Sequence, residues 1–158
     1  MKTSFEEQTS LNEVLCAENC VARWLWKGGS ITGKGAVHWD IESVNTCPEN
    51  YLLQPEGDIV VEAAGLYELS LAFFSKKRRP SVKVYLNEQL SVSAAPLAKG
   101  RCGHDEGDEP HAASLFKVSA VEFIVIPAKG VLNLNFTAEG LAAQGLVPAE
   151  GFMGLRKL

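Results

Sequence analysis

Between Leu66 and Phe74 the chain reads LYELSLAFF, and its side chains alternate. Tyr67, Leu69, Leu71 and Phe73 fall on one side; Leu66, Glu68, Ser70, Ala72 and Phe74 fall on the other. A period of two in so apolar a run restricts this stretch to a strand with one buried face. After a polar break, Ser75-Lys76-Lys77-Arg78-Arg79-Pro80, alternation resumes with Val82, Val84 and Leu86 against Ser81, Lys83 and Tyr85. The two runs predict a pair of antiparallel strands joined by an exposed loop. The second face of the first run is only half apolar. It is too polar for the depth of a monomer and too apolar to be left wet, so something is expected to cover it.

The rest of the chain repeats the theme. Val21 to Trp26 is a β-prone aromatic run, and Gly28 to Gly35 is a glycine-rich turn region. Val37, Trp39 and Ile41 alternate as a second strand, and Asn45 to Asn50 is a loop by composition. Pro96 to Pro110 reads as a polar loop. Val121 to Ile126 is apolar on both faces, as for a strand between two layers, and the tight turn Pro127 to Gly130 follows it. Leu132, Leu134 and Phe136 alternate once more, and Phe152 to Leu158 closes the chain as a strand. Eight to ten short strands with turns between them predict an all-β fold, a two-sheet antiparallel jelly-roll sandwich. Ahead of it, Ser10 and Glu13 match a helix-capping box before Leu11, Val14 and Leu15. Residues 1–20 are therefore expected to be a short helical or disordered tail, and 21–158 the domain.

Several function classes drop out on composition. A net charge of -4 disfavours a general nucleic-acid binder. No apolar run approaches the ~20 residues of a membrane helix. The N-terminus lacks the apolar core of a signal peptide, which points to the cytoplasm, or to the outside of the cell if the domain is excised from a secreted protein. Four cysteines (Cys16, Cys20, Cys47, Cys102) are too few for a disulfide scaffold and read as free or packing thiols.

A series of residues in order then narrows the class. Trp39, Val44-Asn45 and Asn50-Tyr51 are followed by Gly65-Leu66-Tyr67 opening a long strand. Then come Val84-Tyr85-Leu86-Asn87, Gly130-Val131-x-Leu-x-Leu-x-Phe, and a terminal Phe152-x-Gly154-Leu155. Over residues ~21 to 158 this order resembles the globular C1q domain and, more distantly, the tumour necrosis factor domain. The resemblance implies a ten-stranded jelly roll that assembles as a homotrimer behind a collagen stalk or coiled-coil neck, and that binds proteins without catalysing a reaction. No collagen repeat is present, whereas Leu11 and Leu15 could end a coiled coil. The family's Gly-Asp turn is Lys129-Gly130 here, which removes an acid and disfavours inherited calcium binding. The face of the Gly-Leu-Tyr strand turned toward the threefold axis would be Leu66, Glu68, Ser70 and Ala72, joined by Arg156 and Leu158 from the last strand. Glu68 and Arg156 would pair there across subunits, conferring register more than stability.

Other chemistry is weaker. Gly28 to Lys34 fits most of a phosphate-binding loop, but Gly35 replaces its hydroxyl residue and a strand pattern follows in place of a helix. The loop from Cys102 to His111 collects acids and two histidines without the spacing of a calcium or zinc frame, so no metal or other cofactor is expected. The histidines form no catalytic pattern, and no enzyme activity is expected. Lys76, Lys77, Arg78 and Arg79 form a candidate loop for an unidentified protein partner. Asn135-Phe136-Thr137 is a glycosylation sequon inside a strand. The alternative to a homotrimeric module is a monomeric jelly-roll domain that binds carbohydrate through Trp24, Trp26 and Trp39.

Overall fold

The computed structural model of the chain describes residues 20–28, 35–76, 79–96, 115–138 and 149–158, and within them lie ten strands and no helix. In chain order these are β1 (Val21–Trp26), β2 (Ile41–Asn45), β3 (Tyr51–Leu53), β4 (Ile59–Val61) and β5 (Gly65–Lys76). They continue with β6 (Pro80–Leu86), β7 (Gln89–Ala94), β8 (Leu115–Ile126), β9 (Gly130–Ala138) and β10 (Ala149–Lys157). One sheet runs β2-β1-β10-β5-β8 and the other β3-β4-β9-β6-β7, antiparallel throughout. This is the expected two-sheet jelly-roll sandwich.

The alternating run explains the core directly. Tyr67, Leu69, Leu71 and Phe73 of β5 are all buried, and their β10 neighbours Leu155 and Met153 lie opposite Leu69 and Leu71. Trp24 and Trp26 of β1 continue that layer. From the facing sheet come Ile59, Val61, Val82, Val84, Leu132, Leu134 and Phe136. The rings of Trp26 and Phe136 meet at 5.1 Å and those of Phe73 and Phe136 at 5.8 Å, so aromatic contacts join the two layers. Each buried ring removes ~150–250 Å² from water, worth roughly 3 kcal/mol or more before entropy is counted.

Three expectations change. The alternating runs of β5 and β6 are not a hairpin, because β5 pairs with β10 and β8 whereas β6 pairs with β7 and β9. Each strand has a single apolar face, and the two faces meet across the core instead of lying side by side, so the break at 75–80 crosses between sheets. The second strand also begins late. Ala36 bridges to Asn135 and Val37 N donates to Leu134 O of β9, Asp40 N then donates to Leu25 O, and the ladder starts at Ile41. The segment thereby passes from one sheet to the other with Trp39 tucked inward. Gly57 permits that passage: its φ of 97° is left-handed, and a Cβ there would overlap the Val37 carbonyl. Finally, β8 is twice as long as the expected 121–126 run and forms an edge of its sheet, not a strand between layers.

One end of the sandwich is held by polar bonds. The Asn50 amide is buried; its Nδ2 donates to Tyr67 OH at 3.1 Å and its Oδ1 accepts from Ala63 N at 2.8 Å. Tyr67 OH donates to Ala63 O at 2.6 Å, and Tyr51 OH donates to Cys20 O at 2.7 Å. At another turn, Asn87 and Glu88 both have positive φ, 50° and 67°, as the two-residue turn between β6 and β7 demands. Asn87 is held there by bonds in both directions with Val131, each 2.9 Å long.

Candidate functional site

The inward residues of β5 face the core, so the alternate set must face outward. Leu66, Glu68, Ser70, Ala72 and Phe74 occupy the outer face of the β2-β1-β10-β5-β8 sheet, and the ladder sets their neighbours in rows. Leu158 N bonds to Leu66 O, and Leu66 lies opposite Val125 of β8. Val21, Arg156, Glu68 and Phe123 form the second row. Arg23, Gly154, Ser70 and Val121 form the third, and Leu25, Phe152, Ala72 and Ser119 the fourth. All six residues expected at a subunit interface (Leu66, Glu68, Ser70, Ala72, Arg156 and Leu158) thus share one continuous face.

The chemistry changes along that face. Val121, Phe123 and Val125 are 62%, 61% and 73% exposed, beside Leu66 at 44%. Across the sheet, Ile41 and Val44 are exposed on the β2 edge. Arg156 Nη2 approaches Glu68 Oε2 of the same subunit at 3.3 Å. The pair therefore closes within one chain, because the two residues are directly opposed on the antiparallel ladder, where Cβ atoms stand only about 5 Å apart. Toward the other end the rings are covered by cations: Arg23 lies 4.4 Å above the Phe152 ring and Lys117 5.8 Å from that of Phe74. Between them a shallow depression of about 500 Å³ is lined by Ser70, Ala72, Phe74, Ser119, Val121 and Phe152.

The basic loop is only partly placed. Lys76 is exposed at the end of β5 and Arg79 half-buried before β6, while Lys77 and Arg78 lie outside the described residues. The tail with its capping box and the loop at 102–111 lie outside them as well. Among the described residues, no three His, Cys, Asp or Glu side chains gather as metal ligands, and no helix is long and apolar enough to cross a membrane.

Sequence reasoning missed Val121, Phe123 and Val125. Their alternation was visible, but Ile124 and Ile126 are apolar too, so periodicity could not say which set stays outside. It also missed an open groove of about 1120 Å³ on the outer face of the second sheet, lined by His38, Glu56, Asp58, Tyr85, Asn87 and Asn133 among others. There Asn133 Nδ2 donates to Asp58 Oδ1 at 2.7 Å, and His38 Nε2 is buried without a hydrogen-bond partner. The three tryptophans offered as a sugar platform are instead buried, Trp24 and Trp26 completely. Large rings on the inward phase of β1 fill the core and present nothing to a ligand.

A family model described as "Domain of unknown function (DUF8789)" matches residues 21–158. No curated protein matches the sequence. Among solved structures, the globular domain of zebrafish complement 1qA protein is similar with a TM-score of 0.63 and 12% identity, over 89% of this chain and 98% of that one. Eiger TNF from S. frugiperda gives 0.61 and 13%, over 89% and 93%. Murine APRIL gives 0.55 and 13%, over 89% and 99%. The chain thus has the C1q/tumour necrosis factor type of jelly roll, as the residue order implied. Nothing in these findings supports the cytoplasmic placement expected from the N-terminus.

Proposed function

We propose that this chain, which belongs to the family described as Domain of unknown function (DUF8789), is a non-enzymatic interaction domain that assembles as a homotrimer through the outer face of the β2-β1-β10-β5-β8 sheet. One observation carries the reading. An edge strand, β8, displays three large apolar side chains on alternate positions, each more than 60% exposed, next to Leu66. Wet hydrophobic edges invite uncontrolled pairing, and proteins cover them or charge them. Ring closure by threefold symmetry needs two different patches on each subunit. The face supplies them, with Val121, Phe123 and Val125 toward one edge and Ile41 and Val44 toward the other. In such a ring one neighbouring copy of the chain would cover the first set and the other neighbour the second.

In this assembly the Glu68–Arg156 pair, closed within each subunit, is partly removed from water as the contact forms. Leu66, Ser70, Ala72 and Leu158 line the contact around it. A coiled-coil neck through Leu11 and Leu15 would add to it. Lys76 to Arg79, at the end of β5, would present positive charge to an acidic protein partner. The test is the mass in solution. A trimer of the 17.1 kDa chain gives about 51 kDa by sedimentation equilibrium at micromolar concentration, whereas a 17 kDa species at tens of micromolar overturns the proposal.

The carbohydrate alternative loses its tryptophans, and the polar groove with Tyr85, Asn87, Asp58 and Asn133, on which it was not based, is the surface left to it. It predicts a monomer whose Tyr85→Ala variant loses retention on a glycan array; a trimer that retains no glycan would rule it out.

A further inference from the structure

We infer that Cys20 and Cys47 are a cross-strand disulfide site that staples the start of β1 to the turn after β2 when the chain folds under oxidising conditions. The ladder between β1 and β2 pairs Ala22 with Asn45. One step on, Thr46 N donates to Val21 O at 2.9 Å, and Val21 N donates to Thr46 Oγ1 at 2.9 Å. Continued beyond the end of β2 at Asn45, the same register would set Cys20 opposite Cys47. Flanking the Val21–Thr46 pair, this would be a non-hydrogen-bonded position, where Cα atoms of antiparallel strands stand about 4.5 Å apart. That lies inside the ~4.4–6.8 Å window a disulfide spans without moving the backbone.

Both thiols are buried, and both belong to the same core cluster. Asn50 is common to both: its Nδ2 approaches Cys20 Sγ at 3.6 Å, and its backbone N donates to Cys47 O at 2.8 Å. Tyr51 OH and Lys157 N both bond to Cys20 O, so the backbone at Cys20 is fixed from two sides. No Lys, Arg or His in these contacts favours a thiolate, and burial pushes the Cys47 thiol up to about 11. A thiol so buried and held protonated exchanges slowly once folded, and Cys47 is one half of the pair. The bond therefore forms while the chain folds and is afterwards sealed from reductant, which describes a structural staple and not a switch.

The chemistry balances with glutathione disulfide as oxidant. A Cys20 or Cys47 thiolate attacks one glutathione sulfur and expels glutathione thiolate. The second protein thiolate then attacks the mixed disulfide and expels the other. Two protein thiols lose two protons and two electrons, and two glutathione thiols appear.

The test refolds the full chain from denaturant in mixed oxidised and reduced glutathione, digests it without reduction and maps the linked peptides by mass spectrometry. A peptide joining Cys20 to Cys47, two hydrogens lighter than its parts, is expected. A Cys16→Ser, Cys102→Ser variant removes the other thiols and should give the same link, while the wild-type map stands by itself should that variant fail to fold. Both thiols remaining open to alkylation, or joined instead to Cys16 or Cys102, would overturn the assignment. Closing so long a loop should also raise the melting midpoint of the oxidised protein by ~5–10 °C over the reduced form. An equal or lower midpoint would mean that the native geometry does not hold the bond.

Discussion

Truncating Phe123 to alanine separates an interface from an idle apolar surface. Phe123 is 61% exposed in the single chain. Of the roughly 200 Å² a phenylalanine presents, about 120 Å² is thus open to water, and covering it is worth about 3 kcal/mol at ~25 cal/mol per Å². Alanine keeps the Cβ, so about 2.5 kcal/mol is lost per subunit and ~7 kcal/mol per trimer. That is about five powers of ten in the trimer association constant, and because this constant carries the square of concentration, half-dissociation shifts ~300-fold. If only half the ring is covered, the shift is ~20-fold. The subunit itself should lose no more than ~0.5 kcal/mol, because the ring is outside its core. Sedimentation velocity over a dilution series from nanomolar to tens of micromolar reads the midpoint, and far-ultraviolet circular dichroism checks the fold. An unchanged midpoint in Phe123→Ala would refute the reasoning, as would heterogeneous aggregates of the wild type in place of a defined trimer.

Other outcomes follow from particular contacts. Glu68→Ala should cost a monomer no more than ~1 kcal/mol, since both partners reach solvent, but should weaken the trimer by more, because Arg156 is left unpaired where water is excluded. A Glu68→Ala chain that stays trimeric at low micromolar concentration with unchanged melting would remove the pair from the interface. Tyr67→Phe deletes the hydroxyl that bonds Ala63 O and Asn50 Nδ2, and should cost about 1–3 kcal/mol in urea denaturation with the slope unchanged. Under reducing conditions, burial raises the Cys47 thiol from 9.0 to about 11 and raises the Tyr51 and Tyr67 phenols as well. The folded state then holds protons that the unfolded chain releases, so this stability is complete below pH 9 and is lost as pH rises through about 11. The denaturation midpoint should therefore be lower at pH 10.5 than at pH 8.

The fold itself was largely written in local alternation. A strand shows one side chain in two to each face, so Tyr67, Leu69, Leu71 and Phe73, and later Leu132, Leu134 and Phe136, declared a buried side before any partner was known. The order of Gly65-Leu66-Tyr67, Gly130-Val131 and the closing Phe152-x-Gly154-Leu155 carried the sandwich type as well. Alternation is a property of one strand, however, and says nothing of which sheet the strand joins. The step from β5 to β6 looked like a hairpin for that reason, and only the pairings with β10, β8, β7 and β9 placed the two runs on opposite layers. The same gap hid the candidate surface. Val121, Phe123 and Val125 differ from Ile124 and Ile126 in no local signal; what separates them is that β8 ends its sheet with a core on one side and none on the other. Cys20 and Cys47, distant along the chain, acquired a relation only through the β1–β2 register. The half-apolar face of Leu66 to Phe74 was thus visible as a question in the sequence, and the arrangement of its neighbours in space supplied the reason that it needs a cover.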